Sequence, residues 1–478
     1  MNNEKDNGLS FTRLIAVIIG STIGGGIFTS AADMAAGGAH TGAVLIGWGI
    51  AGVGMLSLMM CFFGLNKVRP DLTNGIYSYA GEGFGSFVGF NSAWGYWISA
   101  LLCNVSYVTL LFGSIGFFIP AFGTGNNILS IVCGSAIIWI LNFLVMRGVK
   151  EATGIQIIAT ISKLVPIAVF VVAVIFVRAF NPSIFMTNFW GDGSVAVLDQ
   201  VKATTGATVW SFIGVEGAVV LSGRAKKSRD VGKASVTGFL GLLAIYVMVA
   251  VLSMGVMRPE EMAQLENPQM AGILYAAVGP WGAALINLGV ILSIAGALLG
   301  WTIIAADCPY SASLQGVFSK IFSKSNEKEA PVNSLFITNG IVQIFLIIVY
   351  FQESTYQVFY NLSANMIMVP YLLSAAFYLK VTMDKNGFEG IGGTSITKER
   401  IFAVVGTAYG IWMLYSAGVT YLLISSILYT LGILIFIKGK KEKNQPIFEK
   451  GYEKIIAIVL VALAVVSIVM IANGSIGI

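Results

Sequence analysis

Long apolar stretches, each free or nearly free of charge, recur from one end of the chain to the other between short polar or basic segments. A helix on the surface of a soluble protein would keep a polar face at every turn. These stretches keep none, so each reads as a helix that crosses lipid. The pattern predicts spans at 11–31, 41–64, 84–118, 127–145, 154–177, 203–222, 234–256, 272–305, 333–351, 355–379, 401–417, 420–437 and 455–472, about thirteen helices. Ser30-Ala31-Ala32 offers small residues where a secretion signal would be cut. The Gly-rich middle of the first span is a poor signal core, however, and a dozen spans follow it.

Composition agrees with the pattern. Of the 478 residues, 56% are hydrophobic and 11% charged, against about 25% charged in a soluble domain, and the mean hydropathy is +0.83. That excludes a soluble enzyme, a disordered chain and a nucleic-acid binder. With the N-terminus in the cytoplasm and the spans alternating, 24 of the 28 Lys and Arg residues fall inside. Arg178, Lys202 and Arg258 fall outside, and Lys163 lies within a span. The net charge of +5 therefore orients helices at a membrane, and an odd number of spans puts the C-terminus outside. The last span follows the charged loop Lys438 to Lys454 and reads as an appendage to a twelve-span body.

Little else in the chain suggests covalent chemistry. Cys61, Cys103, Cys133 and Cys308 sit within or at the ends of spans and read as packing residues. His40 is the lone histidine, in a short outer loop. No Cys/His cluster implies a metal, and no phosphate-binding loop implies an ATP motor. No cofactor is expected.

Two spans are interrupted. The first contains Gly20-Ser21-Thr22-Ile23-Gly24-Gly25-Gly26-Ile27, and each glycine costs a helix about 1 kcal/mol relative to alanine. Unwound backbone in lipid is tolerated where it lines a cavity or is buried in protein; glycines that merely allow close helix packing are the alternative. The sixth span reads Val209-Trp210-Ser211-Phe212-Ile213-Gly214-Val215-Glu216-Gly217. An acid at the depth of Glu216 marks a transport path by default, and it is the only deep acid expected. Broken first and sixth spans point to a five-plus-five inverted repeat with its site at the repeat interface, although no residue-level identity links the halves. Half-helix amides favour a carboxylate and unwound carbonyls an ammonium group. An amino acid carries both on one carbon.

GSTIGGGIF at 20–28, Pro70 with Gly75, Tyr77, Tyr79 and Gly85, WSFIGVEG at 210–217, GWTIIA at 300–305 and VPYLLSAA at 369–376 together make the chain resemble the amino acid–polyamine–organocation superfamily. Within it, the chain looks closest to basic amino acid/polyamine antiporters of the arginine/ornithine type. The resemblance covers spans 1 to 12. It implies an all-α transporter of the bacterial cytoplasmic membrane, with a first repeat at 11–179, an outer loop at 180–202, a second repeat at 203–380 and a cytoplasmic loop at 381–400. Spans 11 and 12 at 401–437, a charged loop at 438–454 and the extra span at 455–472 complete the chain, after a cytoplasmic segment at 1–10.

Carried over from arginine/agmatine antiporters, the amides of Gly25 and Gly26 take the substrate carboxylate, and the carbonyls of Thr22, Trp210 and Ile213 take its amino group. Trp301 lies against the cationic side chain, with Asn104 and Ser363 farther along it. Trp210 caps the site, and Tyr96, Glu216 and Tyr371 form a hydrogen-bonded gate. Lys163 resembles the lysine that in sodium-independent members stands in for the ion, so no sodium requirement is expected. Gly25, Ser21 and Tyr107 depart from the serine, asparagine and methionine of the antiporter pattern, and Tyr107 is expected to shorten the pocket.

The implied activity is electroneutral exchange of arginine for ornithine. Agmatine/putrescine, lysine/cadaverine and histidine/histamine exchange, or proton-coupled import, fit the same scaffold. A channel would need a continuous polar pore and an enzyme a catalytic constellation; the chain offers neither. Expected partners are small amino acids and amines, membrane lipid and a second copy in a homodimer.

Overall fold

The structure is a computed structural model that describes residues 11, 15, 19, 22–72, 76–148, 153–216, 228–352, 356–384 and 395–476. Ser21, Gly75 and Gly217 lie outside the described residues. All regular elements described are helical. We label α1 Ser30–Ala36, α2 Thr41–Val68, α3 Ile76–Phe84, α4 Ser86–Gly116, α5 Ile128–Met146, α6 Thr153–Phe176, α7 Val197–Phe212 and α8 Ser228–Val256. There follow α9 Gln269–Val278, α10 Pro280–Leu314, α11 Val332–Gln352, α12 Tyr356–Met383, α13 Ile396–Ser416, α14 Val419–Glu442 and α15 Gly451–Ala472.

Nine described helices are long and apolar enough to cross a membrane. Four of the thirteen expected spans are not among them, for physical reasons. The first and sixth are interrupted. The fifth is described with its side chains only from Lys163 onward, and α13 opens on the charged Lys398, Glu399 and Arg400.

A glycine corner opens one expected span and divides another. Gly85 at φ 96° separates α3 from α4, and Gly279 at φ 85° separates α9 from α10. Side chains rarely adopt such backbone angles, so the chain changes direction there rather than continuing as one helix. The expected span 84–118 is therefore α4 itself, entered from the short α3 through a glycine corner, and the expected span 272–305 is a short helix, a glycine corner and a long helix. Near the first of these corners, Arg69 holds the turn between α2 and α3 by ion pairs to Asp71 at 2.7 Å and Glu82 at 3.1 Å. The same guanidinium keeps the exposed Asp71 carboxyl below the usual carboxylate range.

The core is centred on α4, which lies against α10 and α12 and is flanked by α5, α11 and α14. Nearly every α4 residue from Phe87 to Ser114 is buried. Outer helices instead turn Ile140, Val172, Leu288, Ile344 and Leu434 outward, as helices solvated by lipid do. The last helix packs along α14, and its first turn is hydrogen-bonded through Glu453 to the Phe87 amide at the start of α4 and through Tyr452 to the Phe84 carbonyl at the end of α3.

Candidate functional site

The break in the first span begins where Ile23 N donates its helical bond to the Ile19 carbonyl, at 3.0 Å. Residues 23–25 then leave the helix, Gly26–Phe28 form one 3-10 turn, and α1 begins at Ser30. In the sixth span α7 ends at Phe212, and Ile213 N folds back on the carbonyls of Val209 at 3.1 Å and Trp210 at 3.4 Å. Gly214 turns the chain at φ 101°. The two breaks touch. A Cβ placed on Gly26 would lie 2.9 Å from Trp210 Cδ1 and 3.2 Å from Ser211 Cα, so only glycine lets the two backbones approach this closely.

Below the sixth-span break, Glu216 collects three donors. Its Oε1 accepts from the Tyr96 hydroxyl at 3.0 Å, and its Oε2 accepts from the Tyr371 hydroxyl at 2.6 Å and the Gly214 amide at 3.1 Å. All three side chains are buried. The triad thus bridges α4, the sixth-span break and α12.

Trp210 is the centre of an aromatic wall. Its indole N–H donates to the Tyr356 hydroxyl at 2.7 Å, and its ring lies 5.6 Å from Tyr107 and 5.7 Å from Tyr360. On α4 the wall touches Tyr107 and the triad Tyr96. Eleven residues separate those two tyrosines, about 16 Å along the helix. Asn104 lies in that interval, fully buried with neither amide atom hydrogen-bonded. Such a side chain costs about 1–3 kcal/mol until something satisfies it.

The other expected residues are placed as follows. Ser363 is fully buried, but its hydroxyl donates to the Ser99 carbonyl at 2.8 Å and meets the Ser99 hydroxyl at 3.0 Å. Trp301 is half-buried on α10, and among the described residues it does not stack on Trp210. Thr22 and Lys163 are buried, at 3% and 6% exposure.

Two departures from the antiporter pattern turn out to be one structural feature. A Cβ on Gly25 would lie 3.2 Å from Tyr107 Cε1 and 2.8 Å from Leu110 Cδ2, and one on Gly24 would strike the Tyr107 hydroxyl. That hydroxyl is within hydrogen-bonding reach of the Gly25 amide. The tyrosine ring occupies the space that a serine at 25 would need.

Asp33 corrects the expectation that Glu216 is the only deep acid. It lies on α1 at 7% exposure and accepts at Oδ1 from Gln269 at 3.0 Å and Gln357 at 3.1 Å. The apolar run ends near Ala32, which made Asp33 look like the start of an outer loop. α1 nonetheless lies inside the protein, with Ser30 through Ala35 all buried. The signal available was the six uncharged residues from Ile27 to Ala32 after the glycines, nearly two helical turns.

The amino acid permease family model matches residues 9–448 of this chain. The arginine/ornithine antiporter of Pseudomonas aeruginosa is 43% identical over 474 residues, covering 97% of each chain. The arginine/agmatine antiporter of Chlamydia caviae is 41% identical over 463 residues, covering 94% of each.

Proposed function

This chain belongs to the amino acid permease family, and we propose that it is a membrane antiporter exchanging one cationic amino acid for another, arginine for ornithine, by alternating access. The observation that carries this reading is the meeting of the two broken spans, Gly26 against Trp210 and Ser211. Amides and carbonyls freed from two helices at one place suit the two charged groups of an amino acid. Relatives named for arginine/ornithine and arginine/agmatine exchange support the cationic class; the second name keeps an amine as an alternative countersubstrate.

The residue roles follow from that reading. The Gly25 and Gly26 amides take the carboxylate, and the Thr22, Trp210 and Ile213 carbonyls take the ammonium. Asn104 meets the side chain, with Ser363 and Trp301 beyond it. Trp210 closes one end of the site, and Tyr96, Glu216 and Tyr371 the other. Lys163 holds the position of a coupling ion. The paired corners at Gly85 and Gly279, each between a short and a long helix, support an inverted repeat of 11–179 and 203–380. The N-terminus is then cytoplasmic, lipid surrounds the outer helices, and a homodimer remains part of the proposal.

The test is uptake of labelled arginine into proteoliposomes. Vesicles loaded with ornithine should take it up, and empty vesicles should not. Equal uptake into both would replace exchange by proton-coupled import.

A further inference from the structure

Asp33 has no role in the site described above, yet its surroundings are built for a ligand. Its Oδ1 is filled by Gln269 and Gln357; the Thr29 and Tyr360 hydroxyls lie beside the carboxyl, yet neither closes a well-formed hydrogen bond to Oδ2. Gln269 is 3% exposed, and its Oε1 is likewise unpartnered. Gln357 is held in turn by Asn267, through bonds of 2.9 and 3.1 Å in opposite senses. Among the described residues no lysine, arginine or histidine forms an ion pair with Asp33.

The vacancies are all acceptors. A water could fill the two hydrogen bonds, but only an ammonium or guanidinium ion brings both the N–H donors and the charge that balances the Asp33 carboxylate. A buried carboxylate without a counter-ion is relieved either by a proton or by a positive ligand. The cluster adjoins the aromatic wall: Gln357 follows Tyr356, which accepts from Trp210, and Tyr360 contacts both the Trp210 ring and Asp33. On α12, Gln357 and the triad Tyr371 are fourteen residues apart, about 21 Å along the helix. Asp33 and Glu216 thus lie at opposite ends of the proposed path.

We propose that Asp33, Gln269 and Gln357 form a second cation site, which takes the side-chain ammonium or guanidinium of a substrate before it passes Trp210. This rests on the antiport reading. It adds a carboxylate on the far side of Trp210 from Glu216, so that each end of the pathway carries its own acid.

The experiment compares arginine with citrulline, its neutral isostere, as competitors for labelled-arginine exchange by Asp33→Asn in ornithine-loaded proteoliposomes. Half-saturation for arginine should rise about tenfold, the worth of one charge-assisted bond, with inhibition by citrulline unchanged. Asp33→Glu should recover part of the loss. An unchanged arginine value in monodisperse Asp33→Asn protein would overturn the site, as would an equal weakening of citrulline, which marks a packing role. If Asp33→Asn does not yield folded protein, Gln269→Leu, which removes the second acceptor, is measured by the same comparison and the same two outcomes. Exchange by the unmodified protein in parallel vesicles tests the antiport reading separately.

Discussion

Glu453, on the helix beyond the family's twelve-span pattern, caps the helix at the centre of the molecule: its Oε1 accepts from the Phe87 amide at 3.0 Å. Its Oε2 accepts from the Glu449 and Lys450 amides at 2.8 and 3.2 Å. One fully buried carboxylate therefore serves the starts of both α15 and α4. On α4, Tyr96 meets Glu216, Tyr107 meets Trp210, and Tyr107 and Leu110 meet the first-span glycines, so the terminal helix is joined to the helix that carries the candidate site.

Glu453→Ala should then destabilise the whole protein, because the Phe87 amide is left buried without an acceptor. A loss of about 1–3 kcal/mol is expected, read as a lower melting midpoint in detergent. Glu453→Gln keeps one oxygen and should lose less. A chain ending before Gly451 should melt at least as early as Glu453→Ala; equal melting of the truncated and full-length chains would return α15 to the status of an appendage.

The triad makes a second prediction. Removing the Tyr371 hydroxyl takes from Glu216 its shortest hydrogen bond, 2.6 Å, while Tyr96 and Gly214 still hold the carboxylate. Tyr371→Phe should lower the maximal exchange rate about tenfold, the worth of one charge-assisted bond, with half-saturation nearly unchanged. Glu216→Ala should slow exchange further. A change confined to half-saturation would assign these residues to binding instead.

Much of this arrangement is legible in the letters, and the limits are physical. Apolar runs report helices reliably because lipid admits little else, and the motifs around Trp210 and Glu216 carry their own neighbours. The glycine corner at 279 is hidden because the residues on both sides are equally apolar, so a hydropathy window runs through it, whereas the corner at 85 sits where an apolar run begins. Asp33 is hidden for the opposite reason: a polar residue at the end of an apolar run reads as surface until α1 is seen to lie inside the protein. The bond between Glu453 and Phe87 joins residues 366 positions apart, and no local pattern announces it.

The fit between Gly25 and Tyr107 predicts coupling. Gly25→Ser alone should reduce arginine affinity and folded yield, since its Cβ would meet Tyr107 Cε1 at 3.2 Å and Leu110 Cδ2 at 2.8 Å. Tyr107→Met opens that space. The double variant should therefore recover by about 1–3 kcal/mol relative to the sum of the single effects, the range of direct steric coupling. Thermal midpoints and arginine binding of the four proteins measure it, and strict additivity would separate the two positions.

Asn104 offers the sharpest separation of stability from binding. Its carboxamide is fully buried on α4 with all of its polar atoms unpartnered, so in the ligand-free protein it contributes a desolvation cost with no bond in return. Asn104→Leu, close in size and free of that cost, should leave the ligand-free melting midpoint unchanged or raise it, by about 1–2 kcal/mol at most. If the substrate side chain is what satisfies Asn104, the same variant should lose most of the stabilisation that saturating arginine gives the unmodified protein, because binding to the folded state is what raises that midpoint. A leucine variant that melts early would mean that the carboxamide is satisfied within the protein. One that keeps the full arginine shift would remove Asn104 from the pocket.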